Sequence, residues 1–367
     1  MLLIQKLYIK EFLTTLLVLG FGIALVFSIM GFIDRIDDFM PHKPSIGMLL
    51  GYIVLTIPRN LHYLLAMATL LSSLFVFSQA IKRKEIVIIK AASGRMKRML
   101  LPFVGIGVLL TFFGFVLGEI VVPLTSKEVR ALKHQITKKK KGVTFKEGTL
   151  YMRSKDGSIV RIGLYLPEQN LSKGVSIFRL DADGLKERID AELAEWEGDT
   201  WKLKDVAVSD IAAGTVTRMP ELQYPLIGSP KIFQEDLWEL SEMTMIELVG
   251  YQKRLTEAGF KNPKLVVDIS SRLSYPLVNL FMLLLGISLS AGSDQKALRG
   301  IIPARFATHG GLIAAGLGLV ISLFYWFSYS LFLSLGYAGA IPAAVAPWIV
   351  PALFAVVSVY LYSQIPE

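Results

Sequence analysis

Apolar residues in this chain come in long unbroken runs. Residues 12–33 carry no charge over 22 positions, and a membrane-crossing helix needs about 20 predominantly apolar residues. A second run is centred on 64–81, with an apolar lead-in from Met48 that passes Pro58, Arg59 and His62. A third covers 100–122, interrupted only by Glu119, and a fourth covers 273–291. From 306 to 366 no Asp, Glu, Lys or Arg occurs, which is too long for one helix. The stretch "GYAGAIPAA" at 336–344 is the natural break there. The pattern predicts six spans, three on each side of a long insert. The first run exceeds the roughly 7–15 residues of a signal-peptide core and has no clear A-x-A cleavage site, so it reads as a retained span.

The insert between runs three and four has a different period. Short alternating pieces such as "TLYMRSKDGSIVRIGLYL", "GVSIFRLDADG" and "RIDAELAEWEGDTWKLKDVAVSDI" are separated by Asp156-Gly157, Asp183-Gly184 and Glu197-Gly198. Turn pairs at this spacing mark hairpins of an all-β module. Trp196 and Trp201 are its expected core aromatics. After Pro230 the pattern turns helical in "EDLWELSEMTMIELVGYQKRLTEAGF", with Gly259 placed to cap the helix. The predicted fold is an α-helical integral membrane protein with six transmembrane helices (3+3) and an inserted all-β, jellyroll-like domain. Residues 1–123 hold spans one to three, 124–265 the β domain and its helical return, and 266–367 spans four to six.

Composition agrees: 53% of residues are hydrophobic, 19% are charged and the mean hydropathy is +0.52, whereas soluble domains are nearer a quarter charged. The net charge of +9 does not imply nucleic acid here, because in a membrane protein the placement of Lys and Arg sets topology. The loop at 82–99 is strongly basic, and "SDQKALRGIIPAR" at 293–305 carries Lys296, Arg299 and Arg305. By contrast "DRIDDFMPHKPS" at 34–45 has three acids. Both termini are therefore expected in the cytoplasm and the β domain outside. Zero cysteines exclude disulfides, Fe–S clusters and thiolate metal sites. Four scattered His residues without HExxH give no reason to expect a metal.

No GxxxxGK[ST] occurs, so the chain has no P-loop with which to hydrolyse ATP. No GxSxG or SxxK stands out, and no catalytic residue is assigned. Ionisable residues inside the runs are scarce beyond Glu119, unlike a proton-driven carrier. Work done by this chain therefore needs energy from a partner.

The basic loop "KRKEIVIIKAASGRMKRM" carries seven basic residues and one acid, Glu85. Residues 84–93 have the form of a short helix ended by Gly94, with Glu85 at its positive dipole end. The apolar middle at 86–89 needs cover. It can rest on the membrane as an interfacial helix, or dock into a groove of a cytoplasmic ATPase.

Four stretches resemble the lipopolysaccharide-export permease family LptF/LptG, in order along the chain. They are "KRKEIVIIKAASGRMKRMLLP", "IDAELAEWEGDTWKLKDV", "LSEMTMIELVGYQKRLTEAGF" and "LGYAGAIPAAVAPWIVPALF". The resemblance implies a permease half of an ABC transporter in the inner membrane of a Gram-negative bacterium. It pairs with a homologous half over a separate dimeric ATPase that binds the ATP and Mg, so this chain holds no cofactor. The assembly extracts lipopolysaccharide and passes it, through the β-jellyroll, to a periplasmic bridge toward the outer membrane. A single-span accessory subunit with a periplasmic jellyroll can join. Within the family, 84–94 matches the coupling helix, with Glu85 toward the ATPase, Ile86 and Ile89 as apolar anchors, and Ala92, Ser93 and Gly94 closing it.

"GFIDRIDDF" resembles the LptG half more than the LptF half. That half has a phosphate-contacting Lys near this point, where this chain has Asp34-Arg35; Arg35 is the substitute candidate, and an acidic loop without lipid contact is the alternative. Arg130 and Lys133, with His134, follow the third span where the family carries substrate-contacting basic residues; a solvated basic helix is the plainer reading. The run at 138–141 reads as a charged hinge. Gly310, Ala314 and Gly318 recur every four residues and allow close helix approach. The family implies a gate between subunits there, while packing within the chain is the alternative. Phe324, Tyr325, Trp326 and Tyr329 read as an interfacial belt. Two other functional classes compete: a mechanotransmitting ABC subunit that moves no lipid, usually with four spans, and a membrane-anchored assembly factor without an ATPase.

Overall fold

The computed structural model describes residues 2–365 except 86–87, 89–95, 138–142, 147–148, 155–156, 167–169, 182–183, 198–199, 212–213, 225–242, 258–261 and 292–310. The chain divides into two compact units, Met1–Thr137 with Pro263–Glu367, and Lys138–Asn262.

The first unit is helical. Helix α1 is Leu2–Ile33, followed by the four-residue α2, Ile36–Phe39, and the long α3, Ile46–Lys82. Helix α4 is Met96–Val116; a π turn, Leu117–Val121, leads directly into α5, Val122–Thr137. Among the described residues, six helices are long and apolar enough to cross a membrane, the last three beginning at Pro263, Ala314 and Ala346. The expected break at 336–344 is present: a helix ending at Tyr337 is followed by Gly339, at φ +74°, and a new helix starts at Ala346.

The unit boundary lies beyond the expected 123, because the third span does not stop at the end of its apolar run. It continues as α5, whose Val129, Leu132 and Ile136 are spaced for one face and pack into the helical unit. Gly259, the expected cap, lies outside the described residues.

The second unit is a seven-stranded antiparallel sheet in simple sequential order. Its strands are β1 Val143–Lys146, β2 Thr149–Arg153, β3 Ile159–Leu166, β4 Leu171–Asp181, β5 Gly184–Glu197, β6 Thr200–Asp210 and β7 Thr215–Tyr224. The three predicted turn pairs fall at the β2–β3, β4–β5 and β5–β6 connections. Period-two burial explains the core: Val160 and Ile162 meet Val175, Ile177, Ile189 and Ala191 in one cluster with Trp201 and Leu203. Trp196 and Trp201 are cross-strand partners with ring centroids 5.4 Å apart, and Trp201 is fully buried. At Asp205, φ is +52°, and the buried positions change phase across it, from Leu203 to Val206 and from Ala194 to Ala191 on the paired strand.

Helix α6, Met245–Glu257, belongs to this unit. Its start is a capping box: the Thr244 N–H donates to Glu247 Oε2 at 2.8 Å, and the Glu247 N–H reaches Thr244 Oγ1 at 3.4 Å. Leu248, Tyr251 and Leu255 are buried at helical spacing, and the Tyr251 hydroxyl donates to the Tyr165 carbonyl.

Three helices complete the bundle: α7 Pro263–Ala291, α8 Gly311–Tyr337 and α9 Ala346–Ser363. Helices α3 and α7 form its centre; α1 and α8 lie on α3, and α4 and α9 lie on α7. At Gly286 the two central helices approach closely: an added Cβ would collide with the Ser73 side chain.

Candidate functional site

The α3–α4 loop begins with Lys84 in a left-handed conformation, φ +57°, which turns the chain sharply after α3. A new helical turn then starts, because the Ile88 N–H donates to the Lys84 carbonyl at 3.0 Å. Ile88 is 64% exposed, so this turn carries an uncovered apolar side chain. Ile86, Ile89, Ala92, Ser93 and Gly94 lie outside the described residues. Glu85 does not: the Tyr8 hydroxyl donates to its Oε2, and Arg83 approaches its Oε1 at 3.8 Å. On the far flank of the loop, Gln5 Nε2 donates to the Arg98 carbonyl at 3.0 Å. The first turns of α1 thus hold the loop at both ends. Tyr8 was not among the residues singled out from sequence, since its partner is 77 positions away.

At the opposite end of α3, Arg35 stands exposed between α1 and α2. Helix α2 is seated by Phe39, which is fully buried in a cluster with Tyr52, Ile136, Phe32, Leu49, Val129 and Leu132. The Phe39 and Tyr52 rings meet edge to face at 5.1 Å. This cluster draws α2, the start of α3 and α5 together. Arg130 and Lys133 lie half-buried on α5, so the structure gathers all three basic candidates at one end of the helical unit.

The small residues of α8 face the same chain. Ala314 is buried, and a Cβ on Gly318 would stand 2.8 Å from both Leu71 and Leu74 of α3. Gly310 lies outside the described residues. Ala314 and Gly318 therefore seat α8 on α3, and any contact of α8 with a second subunit must use its other face. The aromatic set splits as well. Phe324 and Trp326 point outward, whereas Tyr325 and Tyr329 are buried and stacked at 5.7 Å.

A polar network that the apolar runs concealed joins the spans. Reading the fourth span from 273 left Asp268 and Arg272 outside it, but α7 begins at Pro263 and carries both. Arg272 lies 3.6 Å from Glu119 in the π turn, and the Tyr337 hydroxyl donates to Asp268 Oδ1 at 2.6 Å. The Tyr275 hydroxyl donates to the Tyr63 carbonyl. Gly118, also in the π turn, leaves room for the His62 ring: a Cβ there would sit 2.6 Å from it. Single π turns open a helix locally and are frequent at functional sites. The network links α3, the π turn, α7 and α8 and so ties the spans together.

Six membrane-crossing helices split three and three by an antiparallel β unit, with a basic loop anchored to the first helix, define a polytopic membrane protein with an inserted β domain. Residues 6–364 match the family described as Lipopolysaccharide export system permease LptF/LptG. The chain belongs to that family, as a transmembrane permease subunit of a lipopolysaccharide-transport ABC system in the inner membrane and not a catalytic enzyme. No individual curated protein matches it.

Proposed function

We propose that this chain is one of two related permease halves that together extract lipopolysaccharide from the inner membrane, driven by a separate dimeric ATPase. The observation that carries the reading is the family match over residues 6–364. The chain's lack of a P-loop assigns ATP hydrolysis to a partner. In this reading residues 84–94 dock into the ATPase, with Glu85 facing a basic groove and the apolar residues of the turn seated beside it. The β unit receives the lipid and passes it to a periplasmic bridge, and a single-span subunit with its own jellyroll associates with the pair. Both termini are cytoplasmic and the β unit is periplasmic, following the positive-inside distribution of the short loops.

Arg35, Arg130 and Lys133 are the cations proposed to meet the lipid phosphates, since a basic cluster at one end of an apolar bundle suits an anionic glycolipid. The chain takes the LptG role, on the resemblance of "GFIDRIDDF". Co-purification from mild detergent tests the proposal. The expected result is a complex containing an ATPase and a second six-span chain, weakened by Glu85→Lys. Isolation of this chain alone, or a complex unaffected by Glu85→Lys and Gly94→Pro, would remove the coupling reading.

A further inference from the structure

We propose that Tyr8 is a positioning residue for Glu85, making the first turns of α1 part of the coupling device; this rests on the reading of the α3–α4 loop as the ATPase-docking segment. The Tyr8 ring is held firmly. It is 2% exposed, stacks on Phe77 near the end of α3 at 6.1 Å, and shares a core with Phe12, Ala80, Met96, Met99 and Phe103. These residues come from α1, the last turns of α3 and the first turns of α4, the three elements that frame the loop. From this fixed ring the hydroxyl emerges to meet Glu85.

A carboxylate accepts through two oxygens, and the two of Glu85 have different surroundings. Oε2 accepts from Tyr8, while Oε1 lies toward Arg83, whose side chain is 61% exposed. The Glu85 side chain is itself 36% exposed. Oε2 is thus tied to the buried Tyr8 ring and Oε1 faces the exposed Arg83, so the half-exposed carboxylate is held in one orientation, which suits docking into a polar groove better than a freely rotating side chain would. The tie from Gln5 to the Arg98 carbonyl fixes the other flank of the loop to the same helix. A displacement of the loop by its partner is therefore delivered to α1 through Tyr8, as well as along the chain to α3 and α4.

Tyr8→Phe keeps the ring and its packing and removes only the hydroxyl. The test uses the purified complex in lipopolysaccharide-containing proteoliposomes, with lipid released per ATP hydrolysed as the readout and thermal stability measured alongside. The expected result is a fall of roughly tenfold or more in that ratio, in keeping with loss of one hydrogen bond to a charged group, with the melting temperature little changed. Tyr8→Phe combined with Glu85→Gln should be no worse than the more damaging single change, since both act through one contact. An unchanged ratio in Tyr8→Phe, additive effects in the double variant, or equal loss of hydrolysis and release with a lowered melting temperature would each overturn the proposal. A wild-type complex that shows no nucleotide-dependent release would instead overturn the permease reading beneath it.

Discussion

Helices α3 and α7 differ from α1 and α8 in what surrounds them. Of their most apolar stretches, 67% of α3 and 72% of α7 are buried within the chain, against 22% for each of α1 and α8. Hydropathy does not sort them, since α1 is the most apolar of the four and α8 the least, with the two central helices between. The difference lies in small and polar residues. The central pair meets at Gly286 against Ser73, whereas α1 and α8 turn large side chains such as Leu17, Val18, Phe21, Val320 and Phe327 outward. Lipid tails are as apolar as leucine, so hydrophobicity alone does not hold membrane helices together, and close packing and hydrogen bonds must. The outer helices are fixed at a few polar points: Tyr8 to Glu85 and Asn60 to Ser28 for α1, Tyr337 to Asp268 for α8. Helices packed on one face against α3 and exposed on the other are suited to meeting lipid or a second subunit, while the central pair serves as scaffold.

The largest expected effect comes from attacking the scaffold. Gly286→Val forces side-chain atoms into the Ser73 contact, and overpacking of this kind costs about 1–3 kcal/mol or more. Thermal denaturation in detergent, followed by size-exclusion chromatography, should show a marked loss of the monodisperse protein. A smaller effect is expected at a point fixture. Asp268→Ala removes the acceptor of the half-buried Tyr337 hydroxyl, a net loss of about 0.5–1.5 kcal/mol, and Tyr337→Phe in the same background should add little. The smallest belongs to the exposed face of α1. Val18→Ala should shift stability by no more than about 0.5 kcal/mol, so any loss of transport in that variant would report an intersubunit or lipid contact. If Val18→Ala proved as destabilising as Gly286→Val, the division into scaffold and outer helices would fail.

The coarse architecture was legible because its signals are local. Runs of 20 or so apolar residues give spans, Asp-Gly and Glu-Gly pairs give hairpins, and "GYAGAIPAA" gives the last break. The extension of the third span into α5 was harder to see, because its inward face is only three apolar residues among basic ones. Asp268 and Arg272 were hidden for a related reason: charges appear to end an apolar run, yet here Tyr337 and Glu119 from other helices accommodate them. The small-residue row on α8 marks a face for close helix approach, but its period alone does not say which helix meets it; in the structure Ala314 and Gly318 lie against α3. Tyr8 carried no signal at all, since a tyrosine near the end of a span is ordinary and its meaning comes from Glu85, far along the chain.

Reconstitution tests the central claim most directly. This chain, a second six-span chain and the co-purifying ATPase are placed in proteoliposomes containing lipopolysaccharide, and release to a soluble periplasmic acceptor is followed with and without ATP. The account predicts release that requires ATP and both six-span chains, and that is strongly reduced by Glu85→Lys. A lone homodimer with no nucleotide-dependent release under these conditions would contradict it.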